Sequence, residues 1–415
     1  MRIVFFLTLF VGCLTASAAH ADEISMLTAQ VRQLAQTVQS LQTTVEMQQK
    51  EIADLKEAQN LRPSSVGAPP VVSASQGGGV VQTPRSSGKF TPEIGVVADT
   101  VLKLDSSRQD TNGNNRMALR ELELVLGSNV DPYSRLDAVI SYDDEHNVSV
   151  EEAYLSRFGL PFNATARIGV IKPRIGKDLA LHRDILDTVD EPLVIQRYFG
   201  EDGMSKAGVD FSKLLDIPSP FVHQLTFGVL EGGNGEGGTA FGSMKRLPTF
   251  YAHLKNFRDI NDMTSFEVGN TYAVGSNDGD KEFKANVVGL DTTLIHHLNS
   301  NQDIKLQGEV FYLDRAKVPG ETNNNAWGAY ELLDFRLNSL WAMGLQFDYV
   351  NLVNNPATNP KNKDMGPTGY LTFYQSEFAR WRLSYSHFNL ATGKDDNRVM
   401  LQGTFAIGDH KHKLQ

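Results

Sequence analysis

Thiols are almost missing from this chain: Cys13 is the only cysteine in 415 residues. An excess of basic residues is missing too, with 39 Lys and Arg against 49 Asp and Glu for a formal charge of -10. An acidic surface repels phosphate backbones, and no Lys/Arg cluster with interleaved aromatics reverses that locally, so nucleic acid is excluded as a partner. Beyond the first two dozen residues there is no long apolar run that could cross a bilayer as a helix. Catalytic signatures are lacking as well. No G-x-S-x-G, H-E-x-x-H or G-x-x-x-x-G-K-[ST] occurs, and the chain is read as a non-enzyme with no cofactor.

The N-terminus has the form of an export signal over residues 1–21. Arg2 supplies the positive start, Ile3 to Val11 a short apolar run, and Ala19-His20-Ala21 a cleavage site ahead of Asp22. Cleavage there would leave no thiol to mispair in an oxidising space. A second reading makes Cys13 a lipid-attachment cysteine, but Phe10-Val11-Gly12 is a poor match to the small and aliphatic residues preferred before one.

Residues 22–60 hold a strict heptad. Ile24, Val31, Val38, Val45 and Ile52 fall at a, and Leu27, Leu34, Leu41 and Leu55 at d, with Gln48 the one polar residue in the seam. So narrow a stripe predicts a coiled coil about 50 Å long rather than a helix docked on a core. Self-association follows, with three strands or two: β-branched a positions with Leu at d favour two, and a lone buried Gln also suits three. Residues 61–88 turn to Pro, Ser, Gly and Val, including Pro69-Pro70 and Gly77-Gly78-Gly79. Such a segment buries no core and acts as a tether.

From residue 89 to 408 the pattern has period two. Leu122, Leu124 and Leu126 alternate with Glu121 and Glu123; Leu136, Ala138, Ile140 and Tyr142 with Arg135, Asp137 and Ser141; Ile304, Leu306 and Val310 with Lys305, Gln307 and Glu309. Each strand thus has one apolar and one hydrated face. About sixteen such segments follow one another, and their connections alternate between tight turns (Asn129 to Pro132, Leu160 to Asn163, Asn299 to Asn301) and long loops (Asp105 to Asn115, Lys172 to Ser205, Glu231 to Arg246). Tight turns on one rim and long loops on the other are the signature of a transmembrane β-barrel, all-β and antiparallel, with lipid against the leucines and water against the glutamates. An even strand count puts both ends of the barrel on the tight-turn, periplasmic side. Trp327, Trp341 and Trp381 suit interfacial girdles.

Signal, coiled coil, tether and about sixteen alternating strands together resemble the bacterial outer-membrane porins, above all porin-like barrels with an N-terminal periplasmic coiled coil, a group that includes the phosphate-selective porins. The segment "RIGVIKPRIGKDLALHRD", Arg167 to Asp184, is similar to that group's strand ending in Gly-x-x-Lys-x-Arg/Phe-x-Gly before a long loop. The resemblance implies a bacterial outer-membrane location, surrounding lipid and the barrel-assembly machinery as partners, and a third outward loop that folds into the pore. Two departures stand against it. No ladder of arginines supports phosphate selectivity, and residues 409–415 form a basic tail after the last strand where porins end on an aromatic residue.

Candidate pore residues follow from the charges. Lys172, Arg174 and Lys177, with Arg183 further along, could face Asp184, Asp187 and Asp190 and set a transverse field; or these charges pair off and seal the loop to the wall. Glu121, Glu123, Asp137 and Glu309 could favour cations, or be neutralised by Arg135, Arg167, Arg380 or Arg382. His296-His297 and His410-x-His412 lack the geometry of a metal site, since adjacent histidines on a strand point to opposite faces. Three functions stay open: a passive channel for small hydrophilic solutes, a substrate-selective porin, and a tether between outer membrane and cell wall. Deletion of residues 22–88 divides them. A channel still conducts in a planar bilayer after the deletion, whereas a tether loses its role in the envelope.

Overall fold

The computed structural model describes residues 92–106, 115–144, 147–242, 245, 247–277, 285–316, 325–353 and 362–408. The expected signal, coiled coil, tether and basic tail lie outside the described residues.

Sixteen strands run in sequence order: β1 (Glu93–Asp105), β2 (Arg116–Asp131), β3 (Ser134–Asp143), β4 (Val148–Leu160), β5 (Ala164–Ile171), β6 (Lys206–Leu215), β7 (Val222–Leu230), β8 (Thr249–Asn261), β9 (Thr264–Gly275), β10 (Ala285–Asn299), β11 (Gln302–Arg315), β12 (Asn325–Arg336), β13 (Trp341–Asn351), β14 (Lys363–Ser376), β15 (Ala379–Asn389) and β16 (Asp395–Gly408). Each pairs antiparallel with its neighbour, and β1 pairs with β16 from Gly95↔Gly408 to Asp105↔Arg398, so the sheet closes into a barrel. Short and long connections alternate almost throughout, as the sequence predicts; the exceptions are the β3–β4 and β15–β16 connections, which are shorter than the β6–β7 turn on the other rim. No helix among the described residues is long and apolar enough to cross a membrane.

Period two fixes which side chains face out. Directly paired positions Met343, Leu371, Leu383, Leu401, Leu102 and Met117 form one outward row across six strands, and all six are exposed. On the opposite face of the same strands Thr372, Arg382 and Gln402 are paired in the same way and buried. Leucine facing outward around the sheet is what a hydrocarbon solvent demands. Two aromatic belts flank that band. Trp327 stacks on Tyr349 at 4.5 Å near the long-loop rim, while Trp341 meets Phe373 at 4.8 Å and Trp381 meets Phe405 at 5.3 Å near the tight-turn rim.

Two features depart from simple alternation. A bulge between the pairs Asp99↔Glu121 and Thr100↔Leu119 turns Arg120 inward beside Glu121, and a bulge between Val139↔Glu152 and Ile140↔Val150 does the same for Glu151 beside Glu152. The expectation of one hydrated face per strand also needs correction. Near the long-loop rim, inward Val287, Phe311, Leu313, Leu332 and Val350 are fully buried and share one apolar cluster with Ile175, Leu179, Ile195 and Phe199 of the third loop. The physical reason is visible in Val310-Phe311-Tyr312-Leu313, where both faces are apolar because one meets lipid and the other a packed loop. Each such side chain contributes about 1.5–3 kcal/mol on burial. Leu383→Arg, at mid-height on the outward face, is expected to cost about 2–4 kcal/mol, read from urea titration of the protein folded into vesicles.

Candidate functional site

The third loop, residues 172–205, crosses the barrel interior instead of standing outside it. Its first turn is placed by glycine. Gly176 has φ +71°, and a Cβ there would collide with the Glu309 carboxylate and the Phe311 ring. Bare backbone can therefore lie on β11, and the amides of Lys177 and Asp178 donate to the two oxygens of Glu309, both at 2.8 Å. The hydroxyl of Tyr330 donates to the same carboxylate at 3.0 Å. Gly169, at φ +142°, closes the other end of the motif where a side chain would strike the Ala153 carbonyl.

Further on, the loop is fastened to the wall at intervals. Arg382 on β15 donates to the carbonyls of Leu186 and Thr188 at 2.9 and 2.6 Å. Arg120 on β2 donates to Asp190 at 2.8 Å and to the Val189 carbonyl at 3.0 Å, and is held by Asp99 at 2.7 Å. A short helix, α1 (Leu193–Tyr198), follows; its first amide donates to Asp348 on β13 at 2.9 Å, and Arg197 pairs with Asp364 on β14 at 2.9 Å.

The predicted charges are all placed within this framework, and the facing rows of cations and acids are not what it contains. Lys172 pairs with Glu151 on β4 at 3.3 Å, and Arg174 donates to Ser212 at 3.0 Å. Lys177 reaches Glu267 at 3.3 Å, Arg183 reaches Glu121 at 3.6 Å, and Asp187 is bound by Lys305. Asp190 lies between Arg120 and Arg398, and Asp184 is buried. Loop charges are thus matched chiefly by wall charges of opposite sign, because neither set could be buried alone. Asp137 stands nearer the tight-turn rim, paired with Arg135 at 2.8 Å. Glu123 is buried beside His182 and Glu151.

Sequence reasoning missed Arg120, Glu151, Glu152 and His182. The signal for the first two bulges was an adjacent charged pair, Arg120-Glu121 and Glu151-Glu152, inside an otherwise alternating strand. His182 bridges Glu151 and Glu152, 3.0 Å from each. Burial and the Lys172 ammonium both act to lower its basicity, but hydrogen bonds to the two glutamates and the Glu123 carboxylate outweigh them and raise it to about 9.

Between loop residues Thr188–Gln196 and the wall of β13 to β16 a small cleft remains, with room for about one water molecule. Gln346, Asp348, Thr368, Ser384, Ser386 and Arg398 line its wall side. Glu191 Oε2 and Ser384 Oγ lack a hydrogen-bond partner among the described residues. Burial first, then the nearby Asp178, raises the Glu191 carboxyl to about 8, so it is neutral at pH 7.

Comparison with known proteins bears on the fold. No protein-family profile matches the chain. A relative from Aquifex aeolicus (strain VF5), an uncharacterised protein, is 27% identical over 336 residues, covering 72% of this chain and 70% of its own length. Among solved structures the chain is similar to Pseudomonas putida OprB, with a TM-score of 0.54 and 9% identity over 77% of this chain and 94% of that one. It is also similar to the outer membrane channel DcaP of Acinetobacter baumannii (TM-score 0.52, 12% identity, 78% and 99% covered) and to an anion-selective porin from Comamonas acidovorans (0.51, 11%, 77% and 100%). At these identities the likeness shows a shared barrel fold and nothing beyond it.

Gly176→Ala is expected to lift the loop off β11 and cost about 1–3 kcal/mol for the strained backbone. Faster protease cleavage within residues 172–205 of the folded protein checks it.

Proposed function

We propose that the protein is an outer-membrane porin: a channel through which small hydrophilic solutes and ions diffuse passively. The observation that carries this reading is a closed barrel with a lipid-compatible exterior whose lumen is crossed by a fastened loop, with a small cleft of mixed polar and apolar lining beside it. Hydroxyl, amide and carboxyl groups around it replace part of a solute's hydration shell, and the single guanidinium of Arg398 is countered by Asp396 at 2.8 Å and Asp190 at 3.5 Å. The constriction residues are therefore Asp190, Glu191 and Arg398 together with the serine and threonine hydroxyls. The loop cations Lys172, Arg174 and Lys177 serve as fasteners.

A second reading, selectivity for a particular polar solute, is favoured by Glu191 Oε2 and Ser384 Oγ, whose unmet hydrogen bonds a solute could complete. Our reading extends to the N-terminal region: residues 22–60 assemble the chain as a trimer or dimer on the periplasmic side, with 61–88 as tether and the assembly machinery inserting the barrel.

Single-channel recording of the refolded protein in a planar bilayer tests the proposal. Discrete conductance steps support it, and silence from a verified folded barrel overturns it. Saturable block by one solute would favour the selective reading. The pH profile tests the constriction itself. Below about pH 8 Glu191 is neutral, and above it the cleft gains a negative charge, so cation preference in the reversal potential is expected to rise between pH 7 and 9 and to stay flat in Glu191→Gln. The same shift has a stability sign. The folded carboxyl holds its proton to about 8 against 4.5 for the ordinary group, so its contribution is fully present below pH 4.5 and is lost as the pH rises through 8.

A further inference from the structure

The cluster at the root of the third loop carries an inference independent of what the cleft conducts. Glu123 on β2 lies opposite Ser141 on β3, and Glu151 is the extra residue of the β4 bulge, next to the Ser141↔Ser149 pair. Ser141 is small, and its hydroxyl bonds that of Ser149 at 2.7 Å. Two glutamates on strands about 10 Å apart can therefore reach over it towards each other, and His182 meets them from the loop. One oxygen of Glu123, one oxygen of Glu151 and one imidazole nitrogen of His182 all lie within 4.8 Å of one another.

Glu123 is the member without a hydrogen bond of its own. It is 4% exposed, yet it accepts no hydrogen bond and makes no ion pair among the described residues. The cations that act on its carboxyl, His182 and Lys172, are shared with Glu151 and Glu152, so three glutamates meet two single charges and a divalent cation would complete the balance. Glu151 and His182 have hydrogen-bond partners of their own, so the unbonded Glu123 is an observation separate from the clustering itself.

We propose that Glu123, Glu151 and His182 bind one divalent cation of the zinc class, which ties the third loop to β2 and β4. The donor set selects the ion. An imidazole with two carboxylates suits zinc and its first-row neighbours, whereas calcium takes 6–8 oxygens and magnesium keeps most of its water. His182 would bind through Nδ1, which gives up its proton to solvent. Its Nε2 is 3.0 Å from Glu152, the carboxylate that orients a metal-bound histidine. Glu152 is in turn held by the Lys172 amide at 3.1 Å. Ligands about 2.0–2.2 Å from zinc stand roughly 3.3–3.5 Å apart, so side-chain rotation must draw the three donors inward. Lys172 Nζ, 3.3 Å from Glu151, competes for that carboxylate, and its bond to the Leu181 carbonyl at 3.1 Å keeps it seated when it yields.

The full-length folded protein, stripped with a chelator, is titrated with zinc alone against a competing chromophoric chelator. All measurements use a background of His297→Asn, His410→Asn and His412→Asn, which removes the other paired histidines. One zinc per chain is expected. Glu123→Gln and His182→Asn are expected to weaken binding by at least about 10-fold, and Glu152→Gln by about 10- to 100-fold, while Asp259→Asn on the tight-turn rim leaves it unchanged. X-ray absorption of the bound zinc should show one imidazole among oxygen donors. No stoichiometric binding, equal affinity in Glu123→Gln, or a zinc with no imidazole or with two overturns the proposal. Glu123→Gln keeps the side-chain shape, so it decides the matter even where His182→Asn does not fold.

Discussion

No backbone N–H or C=O can be left unpaired in hydrocarbon, and every other feature of this barrel follows from meeting that condition. A strand edge in a bilayer would expose a line of polar groups at several kcal/mol each. Pairing of β1 with β16 over eleven residues removes the last edge. Closure then makes an inside and an outside, and a period of two assigns each residue to one of them. That is why a chain with a mean hydropathy of -0.28 and no spanning helix can present a continuous leucine surface to lipid.

Closure also creates the opposite difficulty, an interior too wide for side chains of the wall to fill. The third loop resolves it with two kinds of contact. Its apolar residues pack on inward Phe311, Val350 and their neighbours, and its amides are accepted by wall carboxylates such as Glu309 and Asp348. Glu309 and Asp348 thus serve as loop fasteners through charge-assisted hydrogen bonds to backbone amides.

The barrel was legible in the sequence because both of its signals are local. Alternation such as Leu122-Glu123-Leu124 is set within three residues, and the contrast between Asp131–Ser134 and 172–205 is read from length alone. The site was legible only in part. That the charges of residues 172–190 would face inward followed from the loop's rank as third, but their partners lie far away along the chain: Glu309 is 132 positions from Lys177, and Arg382 is 196 from Leu186. No local pattern encodes such pairings. The bulges at Arg120 and Glu151 were hidden for another reason. A strict period of two assigns a face to every residue, and an extra residue is invisible until the partner strand shows where the register slips.

Those bulges decide which part of the loop is rigid. Arg120 reaches Asp190 only because the β2 bulge turns it inward, and Glu151 reaches Lys172 and His182 only because the β4 bulge does the same. The loop is thereby pinned at its root on β4, at mid-span on β2 and β15, and at its return on β13 and β14. What lies between the last two anchors is the run Asp190-Glu191-Pro192, which edges the cleft. With its backbone held at both ends, the width of the cleft depends on side chains rather than on movement of the loop. Glu191, the one residue of that run with a side-chain oxygen still unpartnered among the described residues, is therefore the group on that edge that a solute of the proposed channel would meet.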